Sequence, residues 1–170
     1  MRRSQQIRQC AFDKKEETDL KVKKKLQITA EEFFRVLRDS LEYDIETYGK
    51  KEHGSYKIED GFVYGKKLKR GKKTFRTVVK VVKFTQPYYY QSIMKNDGGM
   101  YQLEYGIETI SEDSIEVTYR EDTLDTNGNV NTSILKSLFG RLQARNIKKR
   151  LSGMEKAILE KRKTVQEEQP

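Results

Sequence analysis

The strongest constraint in this chain is a change of hydrophobic period between residues 19 and 49. "DLKVKKKLQI" alternates, with Leu20, Val22, Leu26 and Ile28 on one side and Lys21, Lys23, Lys25 and Gln27 on the other. A period of two describes a half-buried strand. Lys24 breaks the pattern on the apolar side, where a long side chain can reach back to water. The next stretch, "TAEEFFRVLRDSLEYDIETYG", has a helical period, with Phe34, Leu37, Leu41, Ile45 and Tyr48 as one stripe. Thr29 and Glu32 have capping-box spacing, and Gly49 is a stop signal. A strand feeding directly into an amphipathic helix is therefore expected at the front of the fold.

From residue 55 onwards the chain reads as a run of strands. Residues 55–69 place Tyr56, Ile58, Phe62, Tyr64 and Leu68 on one parity, and 73–84 are rich in β-branched residues. Pro87 marks a break before a strand at 88–95. "KNDGG" is a hairpin turn. Beyond it Tyr101, Leu103, Tyr105 and Ile107 alternate with polar residues, as do Ile115, Val117 and Tyr119 after the "SED" turn. A long helix is expected over 130–163. Gly140, Ala144, Ile147, Leu151, Met154 and Ile158 form its stripe, while Leu135, Leu138, Phe139 and Leu142 fall opposite. That opposition predicts a kink or break near 140–146, or a first half packed on both sides. One strand, one helix, about five antiparallel strands and a closing helix make an α+β domain.

Composition narrows the function classes. One cysteine, Cys10, excludes an internal disulfide, and one histidine, His53, leaves the usual zinc ligand sets unassembled. No stretch reaches the length of a membrane-spanning helix, and a soluble, cytoplasmic protein is expected. The net charge is +9 and unevenly spread. Lys and Arg outnumber Asp and Glu 12 to 3 in residues 49–84, but are outnumbered 9 to 2 in 85–129.

That distribution bears on "PYYY", residues 87–90, which lies in the acidic segment. Base stacking on aromatic rings needs cations beside them, so nucleic acid is not the expected partner of these tyrosines. Alternation also sends Tyr89 to the face opposite Tyr88 and Tyr90. The acidic loop "EDTLDTNGN" lacks the glycine and terminal carboxylate positions of a calcium loop. "KRGKKTFR" lacks the pattern of a phosphate-binding loop. No cofactor is expected.

The element order, with "ITAEEFFRVLRDSLEYDIET" and "GRLQARNIKKRLSGMEKAI", resembles the START-like superfamily, also called SRPBCC, polyketide-cyclase-like or helix-grip. It looks most like an uncharacterised bacterial family in that superfamily, known as a domain of unknown function. The resemblance spans residues 19–163, leaving polar tails at 1–18 and 164–170. It implies a curved antiparallel sheet of about six strands wrapped around the long C-terminal helix, often with a cavity between. No catalytic residues carry over by position.

Three functions are expected, in order of weight. The first is a non-enzymatic module holding a small apolar or amphipathic ligand among Tyr64, Tyr90, Leu103, Tyr105, Tyr119, Phe139 and Leu142. In the second the same tyrosines fill an ordinary core. A basic strip of Lys66, Lys67, Lys69, Arg70, Arg145 and Lys149 then meets an acidic partner or RNA. The third, a cyclase- or hydrolase-like enzyme, ranks last because no His, Cys or Ser constellation stands out. The sequence sets no oligomeric state.

Overall fold

The structure is a computed structural model that describes residues 20–48, 56–70, 72–129 and 137–167. Cys10, Gly49, His53, Leu135 and the tail at 1–18 lie outside the described residues.

Strand β1 (Leu20–Leu26) leads into helix α1 (Ala30–Tyr48). Then come β2 (Val63–Arg70), β3 (Lys73–Thr85), β4 (Tyr89–Asn96), β5 (Gly99–Ser111) and β6 (Ser114–Leu124). Helix α2 (Ser137–Glu167) closes the chain. The strands form one antiparallel sheet in the order β1-β6-β5-β4-β3-β2. Among the described strands only β1 is out of sequence order, crossing through α1 to pair with the last strand. The architecture is α+β of the helix-grip type, a curved sheet with its helices on one face.

The front of the fold forms as its sequence dictates. Leu20, Val22, Leu26 and Ile28 are buried, and Lys24 is half-buried. The capping box closes in both directions: the Thr29 N–H donates to Glu32 Oε2 at 2.9 Å, and the Glu32 N–H donates to Thr29 Oγ1 at 3.2 Å. Phe34, Leu37, Leu41 and Ile45 are buried along α1, joined by Ala30 and Phe33. Tyr48 is more exposed than its place in the stripe predicts, at 38%. Phe33, fully buried, contributes about 2–3 kcal/mol of apolar transfer.

The β4–β5 hairpin turns where "KNDGG" predicts. Asn96 Oδ1 accepts from the Gly98 N–H at 2.8 Å, and Gly99 takes φ +132°, a conformation that favours glycine. The strand expected from residue 55 begins only at Val63; Tyr56 and Ile58 pack against the core as half-buried residues without strand pairing. The strand expected from residue 88 begins at Tyr89, because Gln86–Tyr88 form a turn with a cis Gln86–Pro87 bond.

Secondary structure in α2 is unbroken through 140–146 and runs on to Glu167. The break expected there is absent. Leu142, opposite the buried stripe, is 60% exposed. Leu151 and Ile158 are buried, with Ala144, Ile147 and Met154 packed beside them. Two contacts tie α2 to the front of the chain. Glu155 Oε1 accepts from the Gln27 N–H at 2.6 Å, and Arg162 Nε donates to Glu32 Oε1 at 2.6 Å. No helix among the described residues is long and apolar enough to cross a membrane.

Candidate functional site

Pairing register sets side chains in rows across the helix-facing side of the sheet. One row holds Phe84, Tyr90, Tyr105 and Tyr119, from β3, β4, β5 and β6 in turn. Neighbouring rings stand 6.2, 6.4 and 5.2 Å apart, centroid to centroid. Phe84 joins this row through a bulge between Val81 and Lys83, which shifts parity by one residue. Helix α1 lies over the row, with Phe33 5.9 Å from Tyr105 and Phe34 5.2 Å from Phe84.

The next row begins Val81, Ser92, Leu103, and the one beyond it Tyr64, Val79, Met94. Tyr64 apart, these residues are smaller than those of the aromatic row, and a cavity of about 320 Å³ opens over them. Its floor is Tyr64, Val79, Tyr90, Ser92, Leu103 and Tyr105. Val36, Leu37, Ser40, Leu41 and Asp44 of α1 form one wall, and Arg150 and Met154 of α2 another. Met94 and Lys66 complete the lining, and Lys66 pairs with Asp44 at 3.1 Å.

The polar groups here are few. Ser92 is buried on the inner face of β4. Tyr64 is 3% exposed and its hydroxyl lacks any hydrogen-bond partner of good geometry, although the Tyr90 hydroxyl lies close enough to affect its titration. A buried hydroxyl without a partner costs on the order of 1–3 kcal/mol. Arg150 donates from Nη2 to the Tyr105 hydroxyl at 2.6 Å, and its guanidinium sits 5.4 Å from the centre of the Tyr119 ring. The Tyr119 hydroxyl donates to Glu121 at 2.6 Å.

Burial raises the pKa of Tyr64, Tyr105 and Tyr119, and pushes Tyr90 up to about 12. Near neutral pH these hydroxyls stay protonated, so they orient and donate rather than act as phenolate bases. Asp44 is the carboxylate in the lining, and its ion pair with Lys66 engages it.

Of the residues singled out in the sequence, Tyr64, Tyr90, Leu103 and Tyr105 line this cavity. Tyr119 is buried beneath Arg150 and outside the lining. Leu142 is exposed, and the Phe139 side chain lies outside the described residues. Tyr88 is exposed at 41%, so Tyr90 alone of the three consecutive tyrosines reaches the cavity. Tyr89 faces the other side of the sheet, towards Glu104 and Arg120.

Strand parity divides the basic strip. Lys66 turns to the cavity side, whereas Lys67 and Lys69 are exposed, Lys67 standing 5.8 Å over the Tyr48 ring. Arg145 and Lys149 are exposed on α2, and the Arg70 side chain lies outside the described residues. Among the described residues no group of three or more His, Cys, Asp or Glu is placed to hold a metal. Asp125 is engaged within its own loop, accepting from the Asn127 and Asn129 N–H groups at 2.8 and 2.9 Å.

Sequence reasoning missed Ser92, Asp44, Arg150 and Met154 as lining residues. Ser92 had a signal: it shares parity with Tyr90 and Met94, a polar residue on an inward face. Arg150 had one too. It sits three residues after Ile147 and four before Met154, on the apolar stripe, although "RNIKKR" reads as a polar helix face.

Comparison with solved structures supports the fold. A conserved Geobacillus kaustophilus protein superposes with TM-score 0.56 at 18% identity, covering 82% of this chain and 94% of that one. A solution structure of a Staphylococcus epidermidis protein gives 0.59 at 9% identity, covering 86% and 93%. The crystal structure of Ara h 8.0201 gives 0.52 at 12%, covering 82% and 93%. These likenesses bear on the fold alone. No curated protein matches the chain in sequence. Residues 20–140 match the family described as a domain of unknown function, DUF3284, and the chain belongs to that family.

Proposed function

We propose that this protein is a non-enzymatic binding module, holding a small amphipathic molecule in the cavity between sheet, α1 and α2. The observation that carries this reading is a space of about 320 Å³ between the sheet and both helices, lined mainly by apolar side chains, with the buried Tyr64 in its floor. A ligand oxygen or nitrogen beside the Tyr64 hydroxyl would exchange a hydrogen bond with it and orient the guest. Leu41, Val79, Met94, Leu103 and Met154 supply apolar contact for the body of the guest. The volume holds roughly ten groups of water size, at about 30 Å³ each, which puts the ligand at the small end of the usual range.

The test is a ¹⁵N chemical-shift titration with 4-propylphenol, a neutral amphipath of suitable size. Saturable shifts confined to residues around the cavity, and lost in Ser92→Leu, support the reading. Absence of shifts at millimolar probe, or shifts unchanged in Ser92→Leu with its fold intact, overturns it.

A further inference from the structure

We infer that the ligand is an anion, with its charged head on Arg150 and its apolar body over Val79, Met94 and Leu103. This rests on the cavity reading above and adds the charge class of the guest.

The argument is one of charge accounting within the lining. Three ionised side chains face the space: Asp44, Lys66 and Arg150. Asp44 and Lys66 neutralise each other at 3.1 Å. Arg150 has no carboxylate partner among the described residues. Its contacts are the Tyr105 hydroxyl, which accepts one hydrogen bond, and the face of Tyr119. A guanidinium carries five N–H donors and stays charged at any physiological pH. Donor capacity therefore remains for a guest, and the one carboxylate of the lining is taken by Lys66, not Arg150.

The position of that charge is unusual for a surface arginine. Arg150 is exposed like Arg145, Lys148 and Lys149, but it alone of these four cations lines the cavity, on the stripe between Ile147 and Met154. The two tyrosines fix the plane of the guanidinium from one side, one by hydrogen bond and one by its ring face. That leaves the remaining edge for a planar acceptor such as a carboxylate, which a guanidinium fork matches with paired hydrogen bonds. The nearby acid, Glu121, is engaged by the Tyr119 hydroxyl at 2.6 Å. Arg150 is exposed at the rim, so an anionic head seated there stays in contact with water while its tail is buried.

Three probes sharing an eight-carbon chain test this: octanoate, 1-octanol and octylamine, each titrated into the full chain at low salt by ¹⁵N chemical shift. Octanoate is expected to bind roughly tenfold tighter than 1-octanol, as hydrogen bonds to charged groups warrant, with octylamine weakest. In Arg150→Gln the octanoate-to-octanol affinity ratio falls close to one, and in Arg150→Lys part of it survives. Equal affinity for octanoate and octanol in the natural protein overturns the anion inference while leaving the cavity reading standing. A preference for octylamine overturns it by reversing the sign. A preference for octanoate that Arg150→Gln leaves intact, with the fold retained, overturns the assignment to Arg150. If none of the three shifts a cavity residue, the cavity reading fails and this inference with it. The comparison among probes needs no variant, so it stands even where Arg150→Gln fails to fold.

Discussion

Arg162 and Glu32 join the two ends of the described fold. Arg162 Nε donates to Glu32 Oε1 at 2.6 Å, while the same carboxylate accepts the Thr29 N–H that begins α1. One side chain thus caps the first helix and anchors the last. Glu32→Ala is expected to destabilise by about 1–2 kcal/mol, the loss of a cap plus a partly exposed pair. Urea unfolding checks this, and Arg162→Ala is expected to cost less, because the cap survives.

The same carboxylate gives a pH signature. The hydrogen bond from Arg162, with those of Thr29, holds the Glu32 pKa below its ordinary value. A depressed folded-state pKa contributes stability above the unfolded value near 4.5, lost as pH falls through the folded value. Stability measured from pH 6 downwards should therefore fall less steeply in Glu32→Gln than in the natural protein. Parallel acid profiles would sink this account of the pair.

Ser92→Leu distinguishes an open space from a filled core. With a cavity over Ser92, the added methyl groups find room, and stability changes by less than about 1 kcal/mol or rises. In a close-packed core the same change costs about 1–3 kcal/mol through overpacking. The midpoint of urea unfolding decides between them.

Tyr64→Phe separates stability from binding. Removing a buried hydroxyl that lacks a partner is expected to leave the empty protein as stable or more stable, by up to about 1–2 kcal/mol. Affinity for 4-propylphenol should fall severalfold, since the donor at the floor is gone. A destabilised variant would mean that this hydroxyl is already satisfied.

The buried tyrosines predict an alkaline limit. Burial raises the folded-state pKa of Tyr64, Tyr90, Tyr105 and Tyr119 above the ordinary 10, to about 12 at Tyr90. Between those values the folded state holds more protons than the unfolded state, so stability present below pH 10 is lost as pH rises towards 12. Absorbance at 295 nm should show this buried set ionising only with the unfolding transition.

What the sequence determined by itself is local. The capping box of Thr29 and Glu32, the α1 stripe, the alternation in β1, β5 and β6, and the "KNDGG" turn all depend on residues within a few positions of each other. Periodicity and turn chemistry therefore carry them, and the strand–helix–strands–helix order comes with them. Where local signals conflicted, as between Leu142 and the Leu151 stripe, the sequence left alternatives that burial of Leu151 and exposure of Leu142 resolved. The site is a product of tertiary structure. The bulge between Val81 and Lys83 brings Phe84 into line with Tyr90, pairing register sets Ser92 beside Leu103, and the docking of α2 brings Arg150 to Tyr105 across 45 residues. Lys66 left the basic strip for the same reason, because a strand's alternate side chains face opposite ways and Asp44 of α1 waits on the inner side. Pairings between distant elements depend on how whole surfaces fit together, and no short window of sequence contains both partners.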